Sequence, residues 1–202
     1  MLYYVKLSHK YVFNLKIIFT FAITRKITNI LEIVKNYYIK NKIRKNFKAL
    51  EKYNKRLDSD LVKVGCIVDM DAVKEVNPLL ELMKHYSIRP ENYIVLGYKR
   101  SSEETHTNGV PFLVDKEINW QGKIRNYHAD RLAEQEYDLL INYFNEPKLP
   151  LLLLSSSIRA KLRIGFQGID MQYNDITIAC KLTEEKIFTE EVKKVLGTII
   201  HK

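Results

Sequence analysis

The chain has 202 residues, 46% of them hydrophobic, with only seven Gly and five Pro. That excludes a disordered or low-complexity protein and leaves room for one domain with a sizeable core plus an appendage. The net charge of +9 is unevenly placed: residues 1–24 hold three basic residues and no acid, residues 25–56 hold eleven against Glu32 and Glu51, and residues 57–202 hold nineteen against twenty-two acids. The body is slightly acidic, and the whole basic excess belongs to the N-terminal quarter, which is a statement about partners.

Residues 1–24 read as an apolar extension. The run from Val12 to Thr24 carries Asn14 and Lys16 and falls short of the roughly 20 apolar residues that a spanning helix needs. Three readings stay open: a spurious or disordered extension, an interfacial anchor, or a signal segment, although no small-residue cleavage site precedes Arg25-Lys26. Residues 25–57 read as a long basic amphipathic helix. Ile27, Leu31, Val34 and Tyr38 recur at helical spacing, and Ile43, Phe47 and Leu50 resume the pattern after Asn41. The stripe is free to dock on the domain or to lie on an anionic surface.

Residues 58–202 read as a three-layer, Rossmann-like α/β domain on a mostly parallel sheet. Leu61–Val68 is a buried strand closed by Asp69-Met70-Asp71, and a helix follows through Val73–Met83 in which Pro78 forces a late start or a kink. Tyr93–Tyr98 is the next strand, so the pair forms a βαβ unit with parallel strands. Residues 99–109 form a polar loop, Pro111–Val114 a short strand beside a packing Trp120, and residues 126–136 a short helix. Tyr137–Tyr143, a helix opened by Pro150, and Leu162–Phe166 repeat the strand–helix–strand form. The strand Asp175–Cys180 follows Phe166 after an eight-residue link, and both cysteines lie within expected strands. Parallel crossovers usually take a dozen residues or more, so this strand is expected to run antiparallel at an edge. The final helix is expected over 189–200, with Thr189 as its N-cap. Two cysteines without a spacing motif argue for a reducing compartment rather than a disulfide framework.

Ligands of open parallel sheets sit beyond the carboxyl ends of the strands, near the point where strand order reverses. That rule selects Asp69, Asp71, Lys99, Arg100, Asn142, Asn145, Gly165, Gln167, Gly168 and Asp170 as a polar rim able to meet a phosphate or a sugar. Asp and Asn also close strands and cap helices for local reasons, and no glycine-rich phosphate loop accompanies them. The five histidines match no zinc spacing, Ser155-Ser156-Ser157 lacks a nucleophile elbow, and neither a metal, a cofactor nor a catalytic residue is expected. The basic helix has the clearer physical motive. Lys40, Lys42, Arg44, Lys45 and Lys48, interleaved with Tyr37, Tyr38, Phe47 and Tyr53, suit contacts to a polyanion.

The segments YDLLINYF, AKLRIGFQGID with the following YNDITI, and INWQGKI resemble a group of small uncharacterised bacterial proteins known as a domain of unknown function, from about residue 28 to the end. YDLLIN, the Leu-rich helix and RIGF are also similar, over about thirty residues, to one Rossmann-like half of heptosyltransferase-type glycosyltransferases. Such enzymes bind a donor sugar nucleotide between two halves, and no catalytic residue carries over. The expectation is a non-catalytic binding protein, cytoplasmic or peripheral to the inner membrane, that engages RNA, a ribonucleoprotein or an anionic membrane surface through its basic helix. The alternative is a nucleotide- or sugar-binding protein that uses the strand-end rim.

Overall fold

A computed structural model describes residues 9–51, 61–73, 76–101 and 109–200, with side chains described from residue 25 onward. The elements run α1 (His9–Leu50), β1 (Val64–Asp69), α2 (Asn77–His85), β2 (Tyr93–Lys99), β3 (Phe112–Val114), α3 (Tyr127–Ala133), β4 (Glu136–Tyr143), α4 (Leu149–Ser157), β5 (Arg159–Phe166), β6 (Ile176–Ile178) and α5 (Glu185–Ile200). Residues 9–24, part of the expected apolar extension, are helical and continuous with the rest of α1, while residues 1–8 lie outside the described residues. The helix ends at Leu50, and the expected part beyond it falls largely outside the described residues, as does Tyr53.

The six strands form one sheet in the order β3-β2-β1-β4-β5-β6, and every pair is parallel. This is the Rossmann order, with its reversal between β1 and β4. β1 and all but the first residue of β4 are buried, as strands covered on both faces must be. One face carries α2 and α5, where Leu79, Leu82, Phe188, Val192 and Leu196 meet Val64, Cys66, Val68 and Ile141. The other carries α3 and α4, with α1 laid along α4. This outer cover explains the run Leu151–Leu154: all four side chains are buried because α4 has the sheet on one side and α1 on the other.

Three expectations need correction. β6 runs parallel to β5, with Ile164 opposite Ile176 and Phe166 opposite Ile178. The crossover rule assumes that the chain must return the full length of the sheet. Here β6 has three residues, and its first pairs only two positions before the end of β5, so nine linking residues suffice. The last helix starts at Glu185 rather than Thr189; Thr189 is buried in its interior and its hydroxyl donates to the Lys186 carbonyl. Of the cysteines, Cys66 is buried in β1, where burial pushes its thiol far up, whereas Cys180 lies beyond the end of β6 and is partly buried.

The amino end of the sheet is clamped by Asp138. Its carboxylate accepts from the backbone N–H groups of Val62 and Lys63, at 3.0 and 2.9 Å, and pairs with Lys161 at 2.9 Å, tying the lead-in of β1 to β4 and β5. Burial pushes this carboxyl's pKa up, but the N–H donors and Lys161 outweigh it and hold the group below its ordinary range. The clamp therefore stabilises the fold above the ordinary Asp value of about 3.9 and is lost as pH falls through the lower folded value. Replacing Asp138 by Ala should cost ~2–3 kcal/mol near neutrality, and the gap to wild type in denaturant titrations should close as the pH is taken well below 4.

Candidate functional site

The α4 face of the sheet presents Tyr98, Asp69, Asn142 and Gly165 near the carboxyl ends of β2, β1, β4 and β5. Two separate constellations result. At the β1–β4 reversal, Asp69 is buried and its carboxylate meets the Lys148 ammonium at 2.7 and 2.9 Å, with Asp71 joining at 3.4 Å. Lys148 stands just before α4, where the loop from β4 turns into the helix. Burial pulls the Lys148 ammonium down, but the bonds and charges of Asp69 and Asp71 win and raise it above its ordinary value. Asp71 is exposed and also accepts the Arg100 backbone N–H at 3.2 Å, which ties the β1 loop to the end of β2. The pair at this reversal is internal: the cation that faces the crevice is already held by two carboxylates.

The second constellation lies between β4 and β5. The Asn142 side-chain amide donates to the Tyr173 carbonyl at 3.0 Å and to the Asn174 side-chain oxygen at 2.8 Å. A Cβ on Gly165 would stand 2.5 Å from that Asn174 oxygen, so only glycine allows this close approach. Both Asn side chains are buried, and the group fixes the link to β6 rather than facing solvent.

The expected rim therefore divides. Asp69, Asp71 and Arg100 come together, and Asn142 joins Gly165 elsewhere. Asn145, Gln167, Gly168 and Asp170 are exposed residues of the connecting turns; Asp170 accepts the Gln172 N–H at 3.0 Å, a local turn contact. Lys99 is buried with its ammonium 6.0 Å from the centre of the Phe112 ring; strand alternation from Tyr98 places it on the opposite face of the sheet.

A larger cleft of about 920 Å³ opens over the carboxyl ends of β2 and β3, between α1 and the start of α4. Its polar walls are Glu32, Lys35, Asn36, Arg100, Asp115 and Lys148, and Trp120 stands beside them. The Tyr98 hydroxyl donates to Asp115 at 2.9 Å, and burial first and this bond second push the phenol's pKa up. Lys35 reaches the Asp115 carbonyl at 3.3 Å. Trp120, expected as a packing residue, is 55% exposed and packs edge-on against Tyr38 of α1 at 5.2 Å, at the surface rather than in the core. Sequence reasoning missed Lys148, Asp115 and Trp120. Lys148 had a legible signal, a lone cation between the reversal strand and a Pro-opened helix.

The basic residues Lys40, Lys42, Arg44, Lys45 and Lys48 are all exposed, and none pairs with a carboxylate among the described residues. Ile39 and Ile43 are buried, with Phe47 packed beside them and edge-on to Tyr173 at 4.9 Å; Asn46 donates to the Ser156 hydroxyl at 3.0 Å. The first half of the expected apolar stripe is not buried in the core, although Tyr38 meets Trp120. Ile27, Leu31, Val34 and Tyr38 are exposed, as are Ile30, Ile33 and Tyr37. At about 100° per residue, Ile27, Ile30, Val34, Tyr37 and Tyr38 fall on the side of α1 away from Ile39 and Ile43, as do Arg44, Lys45 and Lys48; Leu31, Ile33, Lys40 and Lys42 sit on its flanks, and Leu31 and Val34 also border the cleft. Thr28, Glu32, Lys35 and Asn36 fall on the inward side, over the cleft. The amphipathic pattern of α1 inverts between Tyr38 and Ile39.

No curated protein and no solved structure matches the chain, so the similarity to half a glycosyltransferase gains no support from them. A family profile does match, over residues 35–199, beginning near the point where α1 first packs on the domain. The chain belongs to that family, the Family of unknown function (DUF6913).

Proposed function

We propose that the protein is a non-catalytic binding protein that docks on an anionic membrane surface, on the cytoplasmic side, through the outward face of α1. The inversion of α1 carries this reading. From Ile27 to Lys48 the outward face spans roughly 33 Å and presents an apolar block followed by a basic one. An apolar block this continuous needs a cover. A lipid interface supplies it: apolar side chains enter the headgroup–acyl boundary while Lys and Arg meet anionic headgroups, each worth about 1 kcal/mol. Tyr37 and Tyr38 suit that depth. Among the described residues no helix is long and apolar enough to cross a membrane, so the reading is of a helix lying on the surface. RNA would use the basic block and leave the apolar one bare.

Vesicle flotation tests this. The full chain should float with vesicles containing phosphatidylserine at about 50 mM salt and much less at about 500 mM, as screening shortens. Vesicles of phosphatidylcholine alone should retain little of it. Changing Lys40, Lys42, Arg44, Lys45 and Lys48 to Glu should abolish flotation without unfolding the domain, because exposed unpaired charges contribute little to stability. Flotation that ignores lipid charge, or binding to RNA with none to vesicles, would defeat the proposal.

A further inference from the structure

We infer that the cleft between α1 and the carboxyl ends of β2 and β3 is a binding site for a small phosphorylated polyol, a sugar phosphate or a nucleotide. The first ground is its placement. It opens on the α4 face beyond the carboxyl ends of β2 and β3, and one wall is Lys148, which pairs with Asp69 at the β1–β4 reversal, beside which open parallel sheets bind ligands. Its volume of about 920 Å³ lies within the range of small-molecule sites.

The second ground is the chemistry of its walls. A helix face meant to close over a domain is apolar, as α1 is at Ile39 and Ile43. Over the cleft the same helix adds Thr28, Glu32, Lys35 and Asn36 to the apolar Leu31, Val34 and Ile39. Across from them stand Arg100, Asp115 and Lys148. Lys148 is held by Asp69 and Asp71, but Arg100 engages Asp71 only through its backbone N–H, which leaves its guanidinium for a ligand. Lys35 bonds a carbonyl, not a carboxylate. Two cations thus face the space without a counter-charge of their own among the described residues, which suits a phosphate. Glu32 and Asp115 are acceptors for hydroxyl groups, which a bare phosphate lacks. Trp120, more than half exposed, gives an aromatic wall for a sugar or a base. This site is independent of the membrane reading, and its failure would leave vesicle flotation unchanged.

Trp120 is the single tryptophan of the chain, so its fluorescence reports on this cleft alone. The full-length protein would be titrated with inorganic pyrophosphate, glucose 1-phosphate and uridine diphosphate. The expected result is a saturable change with glucose 1-phosphate or uridine diphosphate at lower concentration than with pyrophosphate. Which of the two binds more tightly separates a sugar phosphate from a nucleotide. Arg100→Gln and Lys35→Gln should each weaken that binding about tenfold, with circular dichroism unchanged. No saturable change with any probe, tightest binding of pyrophosphate, or binding indifferent to both substitutions would overturn the inference.

Discussion

Replacing Lys148 with Met should lower the stability of the domain by ~3 kcal/mol, because it strands a buried charge. Asp69 is 1% exposed, and Lys148 is its partner at 2.7 Å. Met keeps most of the side chain's volume, so the loss measures the unpaired carboxylate rather than a cavity. The double variant Asp69→Asn with Lys148→Met should recover a large part of it, since a neutral amide costs far less to bury than a carboxylate. Urea titrations of the four proteins give the cycle directly. The pH dependence has a definite sign. The folded pKa of Lys148 is raised, so its contribution is complete below the ordinary lysine value and is lost only as pH rises through the higher folded value. Between pH 6 and 9 the deficit of Lys148→Met should therefore stay constant.

The second large effect concerns association. Ile30 and Ile33 are 54% and 67% exposed, on the outward face of α1 and on its flank. Burying an Ile side chain is worth about 1.5–3 kcal/mol, and insertion into the headgroup boundary buries only part of it. Changing both to Ser should therefore cost ~2–4 kcal/mol of vesicle affinity, on the order of 30-fold to several hundred-fold. The fold should be unaffected or slightly more soluble, because neither side chain belongs to either core cluster. Flotation against a lipid titration measures the loss. An RNA-binding reading predicts no change for this pair.

Much of the architecture is legible because buried parallel strands leave short apolar runs that few other elements produce. Cys66–Ile67–Val68 and Leu139–Leu140–Ile141 are of this kind, and Pro150 marks the start of α4. What misleads is length. A link judged too short for a crossover is ample for a strand of three residues, and no local pattern announces that β6 stops at Ile178. Thr189 misleads in another way: a Thr before two Glu reads as a cap, yet burial of Phe188 extends α5 back to Glu185. The inversion of α1 was visible. Ile27, Leu31, Val34 and Tyr38 keep one phase, and Ile43, Phe47 and Leu50 keep another on nearly the opposite side, with a five-residue step between Tyr38 and Ile43. Read as one interrupted stripe, the two look like a single docking face. At the candidate sites the rim rule finds Asp69, Asp71 and Arg100 but cannot pair them with Lys148, seventy-nine residues away from Asp69. Nor does it separate Asn142, whose amide is committed to Tyr173 and Asn174, from side chains that face the cleft.

The most direct measurement places one reporter on each side of α1. In a Trp120→Phe background, tryptophan would be introduced by Ile30→Trp on the outward side or by Asn36→Trp on the side that lines the cleft. Each protein would then be mixed with anionic vesicles carrying brominated acyl chains, which quench tryptophan only on close approach. The outward face lying in the boundary predicts strong quenching for Ile30→Trp and little for Asn36→Trp. Quenching at neither position, or equal quenching at both, would contradict it.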